Sequence, residues 1–434
     1  MKVEHYINGE KTESDWYYKS KSPFSGIEYE VEVPSFQEKH EKMLLDALEK
    51  KNTQSLDERI KILETLKYYN PKKEVLEAAC KMTGIPISLI KTRIEEGKEM
   101  ALHLAESGLK EGRKRTVFVG ISPNDPREIF YFLSHLVISG NPSILKLSKR
   151  EPVLSLDVID YMGMHGLAPG LINAIHGNTA DKKEQEIFSR IIKSLDTLIV
   201  MGDAYIRNDQ ISFCAEHSRG LVLDSSAASP HLKKSIVAPG SCLAEHNYLV
   251  VGRENYIQIV KELGEIYARL RGGDIMDIKT TRGLIDDDVL SQVAEIVSMG
   301  RASDIIKVLY PRDTEKRKID NRFMEGGAIV EHYSEDPEVG VNPMMDTKLP
   351  LYLTGVRYVP TIKDALRDLY AAQRSIGLKN HGEKSMALSI YKNKNYLKTE
   401  ELENIAYDIH INESPSDVTG IVHQGIRLND ILTH

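Results

Sequence analysis

Residues 116–146, TVFVGISPNDPREIFYFLSHLVISGNPSILK, decide the fold. A continuous apolar run at 116–121 ends in a loop with two prolines, a helical stretch follows, and a second short apolar run begins at Ser143 behind Gly140-Asn141-Pro142. Short strands that are apolar on both faces are buried on both faces, the mark of a parallel sheet covered by helices. The same alternation continues with strands expected at 171–175, 197–201 and 220–223. A second series follows, with strands at 248–251, 283–285, 305–310, 328–330, 351–356 and 386–391 and helices at 255–270, 288–300 and 362–375. The reading is α/β, two doubly wound parallel-sheet domains meeting near residues 221–242.

Around this frame, the first 35 residues read as small strands broken by Asn8-Gly9 and by Pro23 and Gly26. From 37 to 108 the period turns helical, with Leu44, Leu45 and Leu48, then Ile60, Ile62, Leu63 and Leu66, as apolar faces. A chain of 434 residues is too long for one ordinary core, which fits this division.

Composition excludes several function classes. A net charge of −7 argues against nucleic-acid binding, which rests on neutralising phosphates. No apolar run approaches the roughly 18 residues of a membrane span, and the start Met1-Lys2-Val3-Glu4-His5 has no signal-peptide pattern, so a cytoplasmic protein without membrane contact is expected. The three cysteines, Cys80, Cys214 and Cys242, never form a Cys-x-x-Cys pair, so neither a disulfide framework nor zinc is indicated. None of the 14 histidines has metal-site spacing, and no metal is expected.

Cys242 follows Pro239-Gly240-Ser241 and precedes an apolar strand. A thiolate attacks acyl carbon far better than a thiol, and the small residues before it can offer backbone amides that lower its pKa. The same position also suits a small apolar residue at a strand entrance. Asn124, in Ser122-Pro123-Asn124-Asp125-Pro126 behind the first strand, can donate to an oxyanion or form an Asx turn. Lys146, Ser148 and Lys149 end the second strand as a ribose or phosphate clamp or as a solvated basic loop. Gly202 ends another strand and leaves room for a pyrophosphate, although no Gly-x-Gly-x-x-Gly occurs. The small residues of 224–230 suit either a close ligand approach or a linker between domains.

Taken in order, these segments resemble the aldehyde dehydrogenase superfamily. Ile7-Asn8-Gly9-Glu10 and Ser22-Pro23-Phe24-Ser25-Gly26 look like its opening "INGE" and "NPATG", and Pro123-Asn124-Asp125-Pro126 looks like a shortened "PWNFP". Residues 140–149 resemble "GNAVVLKPSE" and 166–173 resemble "GLPPGVLN". The Glu of "ELGGK", which activates water in hydrolytic members, has no counterpart in 220–226, and Cys242-Leu243-Ala244-Glu245 resembles the "C-x-A-E" of the CoA-acylating branch.

The resemblance implies an acyl-CoA reductase: an oxidoreductase interconverting acyl-CoA and aldehyde through a thioester on Cys242. Asn124 would hold the oxyanion, and Lys146, Ser148, Lys149 and Gly202 the nicotinamide cofactor. Lys149 stands where NAD-preferring relatives carry a Glu, which implies NADP(H) over NAD(H), with coenzyme A as co-substrate. It further implies a dinucleotide-binding part at 1–221, a catalytic part at 222–406 and an oligomerising tail at 407–434. Only residues 108–114 stand where the family's bridging hairpin lies, so that element is truncated and a homodimer is expected. A CoA-independent aldehyde dehydrogenase and a catalytically degenerate binding protein of the same fold are the alternatives.

Overall fold

The computed structural model describes residues 1–24, 26–50, 53–108, 111–112, 115–120, 125–178, 180–201, 211–216, 218–236, 245–284, 306–310, 328–332, 353–379, 384–393, 402 and 405–412. Residues 1–214 make one compact unit, and the described residues from 215 onward make another.

The first unit opens with β1 (His5–Ile7) and β2 (Glu10–Thr12), then the hairpin β3 (Tyr17–Lys21) and β4 (Glu30–Pro34). Four helices follow: α1 (Glu38–Leu48), α2 (Leu56–Thr65), α3 (Lys73–Thr83) and α4 (Ile87–Glu106). Strand and helix then alternate as β5 (Val117–Gly120), α5 (Pro126–Ser139), β6 (Ser143–Lys146), α6 (Leu154–Met164), β7 (Ile172–Ile175), α7 (Lys182–Lys193) and β8 (Thr197–Met201). The sheet order is β8-β5-β6-β7-β1-β2, parallel from β8 to β7, with β1 antiparallel to both β7 and β2.

Both faces of this sheet are covered, as the continuous apolar strands require. Phe118, Ile144, Ile175 and Leu198 form one core with Leu44 and Leu48 of α1 and Ile187, Phe188 and Ile191 of α7. Every residue of α5 is buried, the behaviour of a helix that is apolar nearly all round. Pro126 begins it without losing a hydrogen bond, and Gly140, with φ of 71°, ends it in the left-handed conformation. It packs closely on α4: a Cβ at Gly97 would lie 2.4 Å from a ring carbon of Phe130.

In the second unit β9 (Ile211–Glu216), which begins just before it, precedes β10 (Ser218–Val222), α8 (Ser225–Ile236), β11 (Glu245–Val251) and α9 (Arg253–Arg269). Then come β12 (Ile306–Tyr310), β13 (Ala328–His332), β14 (Leu353–Val359), α10 (Ile362–Lys379), β15 (Lys384–Tyr391) and β16 (Ala406–Ile411). The order is β12-β13-β14-β11-β10-β15, with β16 also pairing β15, and only the β12–β13 pair among these is antiparallel. Alternation splits the strands between two cores. Val222, Tyr248 and Val250 face α8 and α9, while Leu221 and Leu249 face Ala365 and Leu369 of α10.

Two expectations differ from the structure. Residues 224–230 enter a helix rather than remaining a linker, because the Asp224 carboxylate accepts from the Ser226 amide at 2.9 Å and hydroxyl at 2.6 Å and starts α8. Ala228 and Leu232, four residues apart and buried, complete the apolar stripe. The strand expected at 283–285 is absent at 283 and 284, and the helix expected at 288–300 lies outside the described residues. Among the described residues no helix is long and apolar enough to cross a membrane.

Candidate functional site

In the first unit the chain steps from β5 to β6 to β7 and then crosses back past β5 to β8, so the strand order reverses between β5 and β8. Open parallel sheets bind ligands outside the carboxyl ends of their strands at such a reversal. Four connections leave these ends, at 121–125, 147–153, 176–181 and 202–210. Asn124 belongs to the first and Gly202 to the last, and both lie, with Cys242, outside the described residues. The other three sequence-derived candidates, Lys146, Ser148 and Lys149, are described and sit together at the end of β6.

Lys146 is the last residue of β6 and is partly buried, its ammonium 5.8 Å from the centroid of Phe188. Burial lowers its pKa to about 8, with the Glu184 carboxylate pulling it up and the charge of Lys149 pushing it down. Ser148 is buried, and its hydroxyl accepts from the Arg150 amide at 3.1 Å. Lys149 is exposed. Among the described residues neither lysine has a carboxylate within ion-pair distance.

Several partners here have no local signature in sequence. Glu184 accepts from the Asn178 amide at 2.6 Å and from the Ser35 hydroxyl at 2.5 Å; burial raises its pKa and these donors oppose the rise. Gly177 lies so close to Phe188 that a Cβ would fall 2.3 Å from the ring. His176 donates its amide to Nδ1 of His5 at 3.2 Å, and His5 Nε2 donates to the Ser35 carbonyl at 3.3 Å. Burial holds both imidazoles neutral, lowering that of His176 to about 3. The pair ties β1 to the end of β7 and has no proton to exchange near neutral pH.

No protein-family model matches the chain, and no curated protein matches it by sequence. Solved structures do. An oxidoreductase from Marinobacter aquaeolei superposes with a TM-score of 0.75 at 15% identity, over 100% of this chain and 97% of that one. A methylmalonate-semialdehyde dehydrogenase from Oceanimonas doudoroffii gives 0.74 at 17% identity, over 100% and 97%. An NADP-dependent glyceraldehyde-3-phosphate dehydrogenase from Bacillus halodurans, complexed with NADP, gives 0.72 at 14% identity, over 100% and 98%. The chain has the aldehyde dehydrogenase fold.

Within this aldehyde dehydrogenase fold, the surroundings of two described groups fix their charge near neutral pH. Cys80 is buried in α3, and burial pushes its thiol up to about 12, which leaves no thiolate at neutral pH. Asp224, the one carboxylate of 220–226, caps α8 and also accepts from the Asn393 amide at 2.5 Å. The hydrogen bond from the Ser226 hydroxyl leads the effects that hold its pKa below the usual carboxylate range, so it is a poor proton acceptor. Among the described residues no group of three or more His, Cys, Asp or Glu side chains is placed to hold a metal.

Proposed function

We propose that the chain is a nicotinamide-dependent oxidoreductase that interconverts an acyl-CoA and an aldehyde through a thioester on Cys242. The observation that carries this reading is the match of the aldehyde dehydrogenase fold along the whole chain, combined with a thiol three residues ahead of β11. The CoA-linked form is favoured by the 220–226 segment, whose only carboxylate is engaged in capping α8 and does not serve as a base for water.

In this reading the Cys242 thiolate attacks the thioester carbonyl carbon, and the carbon–sulfur bond to CoA breaks with CoA leaving as its thiolate. The Asn124 amide donates to the oxyanion that forms on the carbonyl oxygen. When bound, the cofactor supplies the hydride that reduces the enzyme thioester. The resulting tetrahedral oxyanion on Cys242 collapses by breaking its carbon–sulfur bond, which releases aldehyde and regenerates the thiolate.

The residues at the end of β6 fit a phosphate-bearing cofactor. Lys146 and Lys149 are near enough to oppose each other's charge, and among the described residues no carboxylate pairs with either. Lys149 would favour the 2′-phosphate of NADP(H), with Ser148 beside it in the turn after β6 and Gly202 proposed, on sequence, to leave room for the pyrophosphate. Replacing Lys149 with Glu is expected to turn preference toward NAD(H); an unchanged preference would refute this assignment. The working assembly is a homodimer in the cytoplasm, and light scattering that returned a stable tetramer would overturn the former.

The deciding experiment incubates the purified chain with NADPH and a panel of acyl-CoAs, following cofactor oxidation together with free CoA. Turnover that needs acyl-CoA and is lost in Cys242→Ala supports the proposal. Aldehyde oxidation without CoA points to the hydrolytic reaction instead, and no turnover with any substrate to a binding protein.

A further inference from the structure

The connection from β6 to α6 is pinned at both ends. Leu147 is buried, and its amide donates to the Ile175 carbonyl at 2.9 Å, extending the ladder one residue beyond β6. At the other end the buried Glu151 carboxylate accepts from the Leu154 amide at 2.6 Å, the Ser155 amide at 2.9 Å and the Ser155 hydroxyl at 2.5 Å. Between these anchors Ser148 closes a turn around Lys149 by accepting from the Arg150 amide.

One contact from elsewhere reaches the middle of the turn. The Ser20 hydroxyl donates to the Lys149 carbonyl at 2.8 Å, across 129 residues of sequence. Ser20 is the one buried residue of β3, whose hairpin ladder is made by backbone groups alone. Its hydroxyl is therefore free of the hairpin's own bonding and is spent on the turn. Among the described residues this is the hydrogen bond Lys149 makes, and its ammonium has none.

We propose that Ser20 is a positioning residue for cofactor selection: by holding the Lys149 carbonyl it fixes the turn so that Lys149 and Lys146 together meet the 2′-phosphate of the adenosine ribose. This rests on the NADP(H) reading above. A turn held before binding loses less freedom on binding, so the hydrogen bond contributes to affinity without touching the ligand. A serine that merely docked the hairpin would affect both cofactors alike, whereas one that aims the two lysines acts on NADP(H) alone, because only that cofactor carries the 2′-phosphate.

The test measures NADPH and NADH dissociation constants by titration calorimetry on the full chain, with no substrate present, for wild type, Ser20→Ala, Lys149→Glu and the double variant. One neutral hydrogen bond corresponds to about a 5-fold change in affinity, so Ser20→Ala is expected to weaken NADPH by about 5-fold and leave NADH within about 2-fold. In the Lys149→Glu background Ser20→Ala is expected to change neither. Equal weakening of both cofactors, or an unchanged ratio, overturns the proposal. If Ser20→Ala does not fold, Ser20→Cys, which keeps the size with a weak donor, carries the same expectation. If the wild type has no NADPH preference, or Lys149→Glu leaves the ratio unmoved, the cofactor reading falls and the proposal with it. If Lys149→Glu inverts the ratio and Ser20→Ala does not lower it, the positioning role alone falls.

Discussion

Asp125 and Arg127 form a buried ion pair at the start of α5: the carboxylate accepts from the Arg127 amide at 2.9 Å, from Nε at 3.1 Å and from Nη2 at 2.5 Å. The ladder continues into α4, where Glu96 lies 3.4 Å from Arg127 and 2.5 Å from Arg93. Burial works to raise the Asp125 pKa, but the guanidinium of Arg127 and then that of Arg93 outweigh it and hold the carboxyl below its usual range. Four charges enclosed this way are each costly alone and tolerable together.

Asp125→Ala is therefore expected to destabilise the first unit by about 3–5 kcal/mol, because it takes from the buried Arg127 the carboxylate to which its amide, Nε and Nη2 all donate. Urea unfolding of the full chain checks this, and a loss under about 1 kcal/mol would show that the pair matters little. The paired form adds stability above the unfolded carboxyl pKa and loses it as pH falls through the lower folded value, so the wild type and Asp125→Ala converge in strong acid.

At the other end of α5, Gly140 cannot take a side chain cheaply. Its φ is 71°, and a Cβ would sit 2.8 Å from Cζ and Nη2 of Arg59. That guanidinium cannot retreat, since Nε donates to the Val137 carbonyl at 2.8 Å, Nη2 to that of Ile138 at 3.1 Å and Nη1 to that of Gln54 at 2.5 Å. Gly140→Ala is expected to cost on the order of 1–3 kcal/mol from backbone strain alone, more with the collision, read as a fall in the urea midpoint. An unchanged midpoint would mean that α5 ends in some other way.

The strands β5 to β8, β10 and β11 were legible because burial on both faces forces apolar residues at consecutive positions, as in Val117-Phe118-Val119 and Ile144-Leu145, whereas β9 and β16 were not expected. α8 was harder to see, since Ser225, Ser226 and Pro230 look like turn residues and only the Asp224 cap and the Ala228–Leu232 spacing oppose that impression. Lys146, Ser148 and Lys149 could be placed at the end of β6 because a strand end is a local pattern. Ser20, Ser35 and Glu184 could not, because their hydrogen bonds join segments far apart in the chain and leave no periodic trace. Asn124, Gly202 and Cys242 remain assignments made on sequence and fold.

Lys146 gives a prediction with a definite sign. Burial lowers its pKa from 10.5 to about 8, so between those values the unfolded chain holds a proton that the folded chain has released. Stability from this group thus rises with pH from about 8 to about 10.5. Lys146→Met removes the buried charge, and is expected to be more stable than wild type at pH 7, with the difference shrinking as the pH approaches 10. Urea midpoints of the two proteins across that range check it, and a constant offset would mean that Lys146 titrates as it does in water.

Glu151 acts in the opposite sense, and at lower pH. It caps α6 with three hydrogen bonds to its carboxylate, yet burial raises its pKa from 4.5 to about 7 against the pull of those donors. Between these values the folded chain keeps a proton that the unfolded chain has lost. The contribution is thus complete below the unfolded value of 4.5 and disappears as pH rises through about 7. Glu151→Gln keeps an acceptor for the Leu154 amide and cannot ionise, so the wild type is expected to lose stability relative to it between pH 5 and 7, as measured by urea midpoints in steps of about half a unit. The same carboxylate anchors the turn that carries Lys149. If its ionisation loosens that turn, the NADPH affinity of the wild type will change over this pH interval and that of Glu151→Gln will not, whereas parallel curves for the two proteins would separate the helix cap from cofactor binding.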